Sequence, residues 1–162
     1  MTTETTTPHL RTLTPRMKNP ATLVPGALQA LMGLGALVQG QGVPEATLEL
    51  VHLRVSQING CGWCIEFGLR QARKAGESED RLASVPAWRE SPYLSDAECA
   101  AIELAESMTR LADSADGVPD AVWERAARHY DEQALAALVL YIGTTNLYNR
   151  LNVATRQVPG TW

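Results

Sequence analysis

At 162 residues the chain is long enough for one domain with a real core and too short for two ordinary ones. Hydrophobic residues make up 45 % and charged residues 20 %, the balance of a soluble globular protein rather than a disordered or membrane-spanning one. The net charge of −4, a pI near 5.4 and the lack of any Lys/Arg run argue against nucleic acid as a partner.

The first twenty residues, with three prolines and many threonines, show no periodicity and read as an arm, packed on a neighbour or mobile; the domain proper is expected over 21–162. This polar start has none of the marks of a secretory leader, so a cytoplasmic protein is expected. A first helix is predicted over Leu23–Gln39. Its most apolar run, Ala27 to Val38, is interrupted by Gln29 and too short to cross a bilayer, so no membrane association is expected. Pro44 suits a helix start, and the helix it opens should reach Ile58, where Asn59-Gly60 breaks it. The next helix opens at Cys61 and ends at Gly76. A short helix follows in "ESEDRLASVPAW", stopped by Pro86. Ser95 and Glu98 form a capping box for a helix reaching about Ala112. Asp116-Gly117 turns the chain, Pro119 starts another short helix, and Asp131 caps a last long one. Strand signals are nearly absent. The expected fold is all-α, a bundle of about six or seven helices with antiparallel neighbours.

Two of the three cysteines stand as Cys61-Gly-Trp-Cys64 at the predicted start of a helix. Unpaired N–H groups and a partial positive charge at a helix start stabilise a thiolate. Three residues on, the second sulfur lies on the same face and can close a disulfide. The bland alternative is a pair of buried small hydrophobes, which suits the isolated Cys99 better. Zinc would need four ligands, and His9, His52 and His129 form no companion pair, so redox chemistry is favoured and neither metal nor cofactor is expected.

On a helical wheel, Glu45, Glu49, His52 and Ser56 share a stripe about 60° wide between two apolar faces. One face is Leu48, Val51, Val55 and Ile58; the other is Leu50, Leu53 and Ala46. The wheel alone favours a narrow solvated strip. The sharper reading makes Glu49 a general base in a half-buried pocket. "GLGALVQG" is no dinucleotide loop, since Val38 stands at the third glycine and no strand precedes it. Among the aromatic residues, Trp63 is best placed to touch a substrate.

The stretch "LELVHLRVSQINGCGWCIEFGLRQARKAGE" resembles the AhpD-like alkylhydroperoxidase branch of the carboxymuconolactone decarboxylase family. So do the segments "RLASVPAWRESPYLSDAECAAIELAESMT" and "NLYNRLNVATR", and the likeness spans about residues 20–158. The family pattern is a glutamate, a CxxC opening twelve residues later, and a histidine four residues after the second cysteine. The resemblance implies an AhpD-like helical bundle and a homo-oligomer, as a trimer or hexamer. It also implies reduction of a hydroperoxide substrate and recycling by a dithiol reductant. By the same carry-over Cys64 is the peroxidatic thiol, Cys61 the resolving one and Glu49 the base. The pattern's histidine is Gly68 here, which removes the relay expected at that position. His52, three residues from Glu49 on one stripe, is the candidate to replace it. A second expectation keeps the fold but makes the protein a small-molecule binder or redox sensor, with Gly68 enlarging its pocket. A lactone decarboxylase is a third, weakened because ring-processing members generally lack the CxxC.

Overall fold

The computed structural model describes residues 11–161, and every regular element among them is helical. Eight α-helices follow one another: α1 (Pro20–Leu23), α2 (Ala27–Leu37), α3 (Glu45–Ile58), α4 (Gly62–Lys74), α5 (Glu79–Ser84), α6 (Asp96–Thr109), α7 (Asp120–Ala127) and α8 (Glu132–Thr155). The expected first helix is broken in two. Pro25 disfavours helical backbone at Val24, which is extended, and Gly26 turns with φ +81°. Pro86 does not stop the chain's winding either. It is taken up in a 3₁₀ segment, Val85–Glu90, that continues from α5. The predicted caps hold elsewhere. Ser95 and Glu98 close the capping box of α6, and Asp131 accepts from Ala134 N–H at the head of α8.

Helix α3 lies at the centre, because both of its apolar faces find partners. Leu48, Val51 and Val55 join Leu104, Leu138 and Ile142 in a core shared with α6, α7 and α8. Leu50 and Leu53 face the other way, into a second core with Leu82, Val85, Trp88 and Ile102. Burying both faces fixes the rotation of α3, and with it the direction in which the polar stripe between them points. Next to it, Arg54 pairs with Glu106, which also accepts from Trp88 Nε1 at 3.0 Å.

The first ten residues of the expected arm lie outside the described residues. The described part packs on its own chain: Arg16 N–H donates to Thr155 O at 2.8 Å and Gln157 Nε2 donates to Met17 O at 3.0 Å. Helix α2 buries no residue at all, and Met32 and Leu37 are 63 % and 67 % exposed. Among the described residues no helix is long and apolar enough to cross a membrane.

Candidate functional site

Asn59 and Gly60 end α3, and Gly60 reverses the chain with φ +64°. Cys61 follows as the N-cap of α4. Its extended backbone lets Sγ accept the Cys64 N–H at 3.3 Å, one of the unpaired donors of the first turn. Cys61 and Cys64 are joined as a disulfide, with Cα atoms 5.3 Å apart, and each is only 1 % exposed. Cys99 stands apart, packed against the second core, where burial pushes its thiol pKa up. Among the described residues no group of three His, Cys, Asp or Glu is placed to hold a metal.

The two cysteines border different cavities. Cys64 borders a cavity of about 700 Å³, walled by α2, α4, α8 and the segment from Pro15 to Thr22. Its lining is mostly apolar, with Leu28, Met32, Trp63 and Phe67 facing Tyr141 and Tyr148. Cys61 borders a smaller cleft of about 210 Å³ beside Gly60, Gly62 and Arg156. Trp63, Asn152 and Gln157 line both and separate them. Trp63 is fixed there, stacked on Phe67 at 5.2 Å with its Nε1 donating to Thr161 O at 2.9 Å.

His52 lines the same cavity as Cys64. Its Nε2 lies 3.1 Å from the Cys64 carbonyl oxygen, which can only accept, so Nε2 carries the proton and Nδ1 the lone pair. Burial lowers its pKa, partly opposed by that hydrogen bond, which keeps the ring neutral near pH 7.

Gly68 is where the structure corrects an expectation. It does not line the cavity and does not enlarge it. It is buried, and a Cβ on it would stand 2.6 Å from His52 Cδ2 and 3.1 Å from Nε2. The ring from α3 fills the space over residue 68, so glycine is required for the close approach.

Glu49 is one turn before His52 on α3. Burial, with Glu45 adding to it, pushes its carboxyl up from 4.5 to about 7. Its charge also reaches the cavity wall, where burial first and then Glu49 raise the Tyr141 pKa. Among the described residues no hydrogen bond joins Glu49 to His52 or to either cysteine.

Several site residues were not anticipated. Asn146, Asn149 and Asn152 stand three apart along α8, all buried, as a polar ladder facing the α3–α4 junction. Asn149 accepts from Asn59 Nδ2 at 2.9 Å and donates to Ser56 Oγ at 3.1 Å. Asn152 Nδ2 points at the Cys64 sulfur, 3.2 Å away, and its Oδ1 accepts from Asn19 Nδ2 at 2.6 Å. The signal was present as "NLYNRLN": three asparagines on one helical face, a residue type rarely buried without a specific partner.

A family model described as the carboxymuconolactone decarboxylase family matches residues 25–107, from the start of α2 almost to the end of α6. The uncharacterised protein YdfG of Bacillus subtilis (strain 168) is 36 % identical over 132 residues, covering 82 % of this chain and 88 % of its own. The crystal structure of ATU0492 from Agrobacterium tumefaciens is that of a protein of unknown function named as a candidate AhpD antioxidant-defence protein. It superposes with a TM-score of 0.84 at 30 % identity, over 92 % of this chain and 100 % of that one. The apo debrominase Bmp8 shares the fold alone, with a TM-score of 0.74 at 18 % identity over 86 % of this chain and 74 % of its own. A helical fold built around a CxxC at the head of α4, matched across most of its length by these relatives, places this chain in the carboxymuconolactone decarboxylase family, on its AhpD-like branch.

Proposed function

We propose that this protein reduces organic hydroperoxides through the Cys61–Cys64 pair. One observation carries the reading: the disulfide sits at the head of α4 with Cys64 bordering a largely apolar cavity of about 700 Å³. In the reduced protein the Cys64 thiolate attacks the outer oxygen of the hydroperoxide. The O–O bond breaks, the alkoxide takes a proton and leaves as an alcohol, and Cys64 becomes a sulfenic acid. Cys61 then attacks the Cys64 sulfur, water departs and the disulfide forms. A dithiol reductant, entering by the cleft beside Cys61, takes up the oxidation and returns both thiols. Glu49, with a pKa near 7, and His52 exchange the protons. His52 can keep its Nε2–H on the Cys64 carbonyl and take the proton at Nδ1.

Titration of free thiols in the reduced protein, before and after one equivalent of cumene hydroperoxide, tests this. The expected result is loss of two thiols, release of one equivalent of the alcohol, and a peptide carrying Cys61 and Cys64 lighter by two hydrogens. Persistence of both thiols, or a link to Cys99, would sink the reading.

A second reading, a binding or redox-sensing protein without turnover, draws on the near-complete burial of both sulfurs and the engaged His52 nitrogen. It gains the first place if the thiols react once and no common dithiol restores them.

The chain further acts as a homo-oligomer, a trimer or hexamer, with a second copy covering the bare face of α2. The support is a helix with no buried residue in the lone chain, joined by exposed Leu140 and Leu147 on α8. Light scattering at a monomer mass of 17.6 kDa would refute it.

A further inference from the structure

We propose that Asn152 is a catalytic residue that holds the Cys64 thiolate, and that Asn19 is the positioning residue that aims it. The proposal rests on the reading of Cys64 as the reacting thiol.

The orientation of both amides follows from one backbone group. Asn19 is the N-cap of α1, and Ala21 N–H donates to it at 2.9 Å. A backbone N–H can only donate, so the atom it meets is Asn19 Oδ1. Asn19 therefore turns its Nδ2 toward Asn152, and that group too can only donate. Asn152 must answer with Oδ1, and its own Nδ2 is left facing the Cys64 sulfur at 3.2 Å. Asn152 is 4 % exposed, so neither amide atom can turn to bulk water instead.

The other asparagines of the ladder show what this one does differently. Asn146 and Asn149 spend their amides on Asn59, Thr109 and Ser56, and tie α8 to α3 and α6. Only Asn152 aims a donor at a sulfur. In the disulfide that sulfur is a weak acceptor. As a thiolate it is ionised, and a hydrogen bond with an ionised partner is about twice as strong as a neutral one. The contact therefore favours the reduced, deprotonated form of Cys64 over the form present in the disulfide. Cys61 has a donor of a different kind, the backbone N–H of Cys64, which no side chain controls. Asn152 thus sets the acidity of one thiol of the pair independently of the other. The family match, residues 25–107, includes neither Asn19 nor Asn152.

The test is the thiol pKa of Cys64 in a Cys61→Ser background, where serine keeps the cap of α4. It is read from the pH dependence of iodoacetamide alkylation and from thiolate absorbance. Asn152→Ala should raise the pKa by about one unit, which is about tenfold less thiolate at pH values below it. Asn152→Asp, of nearly the same shape, should raise it further by presenting an anion. Asn19→Ser keeps the cap of α1 and removes the donor; it should raise the pKa by about half a unit, a shift that a purely structural cap would not cause. Titratable neighbours around the cavity stay in place in all three: His52 from α3, Lys18 from the arm, and Tyr141 and Tyr148 from α8. An unchanged pKa in Asn152→Asp, or in Asn152→Ala with native circular dichroism, overturns the role of Asn152. An unchanged pKa in Asn19→Ser overturns that of Asn19. If the shifts appear but no form of the protein consumes hydroperoxide, the hold of Asn152 on the Cys64 thiolate stands and the peroxidase reading falls with its catalytic use.

Discussion

Helices α3 and α4 meet with opposite endowments. Helix α4 brings the disulfide and, one turn on, a bare glycine; α3 brings Glu49 and an imidazole that lies against that glycine. The resemblance leads one to expect the imidazole on α4. The chain instead presents it from the facing helix and keeps residue 68 empty to admit it. The His52 ring thus takes up the space that any side chain at residue 68 would need.

Four experiments test how far the two helices divide the work. The largest effect should come from α4: Cys64→Ser should lower hydroperoxide consumption by at least about 10³-fold, because the nucleophile is gone. A coupled assay with dithiothreitol measures this, and residual activity near wild type would move the reaction to Cys61. On α3, His52→Ala should slow Cys64 oxidation by about 10²-fold at pH 7, the low end of general acid–base assistance. Gly68→His should recover most of that loss in the His52→Ala background. In the wild type the same Gly68→His should fail to help, because its Cβ would meet the His52 ring at 2.6 Å. Stopped-flow tryptophan fluorescence, with Trp63 near the disulfide, follows both.

The third experiment isolates the packing. Gly68→Ala should cost about 2 kcal/mol in wild type through overpacking against His52. In His52→Ala it should cost nothing or stabilise, since alanine suits a helix better than glycine by up to about 1 kcal/mol. Urea melts of the four proteins give the coupling. Equal costs in both backgrounds would show that His52 does not need the glycine.

The smallest effect concerns Glu49. Its carboxyl is held at about 7, above the free value of 4.5, so folding favours the protonated acid. That contribution is complete below pH 4.5 and is lost as pH rises through about 7. Wild type should therefore lose about 1–2 kcal/mol relative to Glu49→Gln between these limits, allowing for the solvent-exposed part of the group. Parallel stability curves would show that Glu49 is not desolvated.

Local signals made most of the helix frame readable. The capping box at Ser95, the N-cap at Asp131 and the break at Asn59-Gly60 each act within a few residues, and the structure has all of them. The two apolar faces of α3 were visible on a wheel, although what each face met was not. One helix over Leu23–Gln39 is prevented by Pro25 and Gly26, whose local backbone preferences outweigh the apolar run around them. The CxxC, Glu49 and His52 were legible as chemistry at close spacing. Asn152 was not, since its partners lie 88 and 133 residues away in sequence. The filled space over Gly68 is not legible for the same reason: no wheel of α4 shows a side chain arriving from α3.

The separate openings beside Cys64 and Cys61 bear on the order of events in the proposed cycle. An enzyme with a single entrance makes its two substrates queue, and an excess of either one blocks the other. On the proposed peroxidase reading, an alcohol still held in the apolar cavity would not stand in the way of a dithiol arriving at Cys61. In that cycle product departure and reduction of the disulfide would overlap in time, so neither would have to wait on the other.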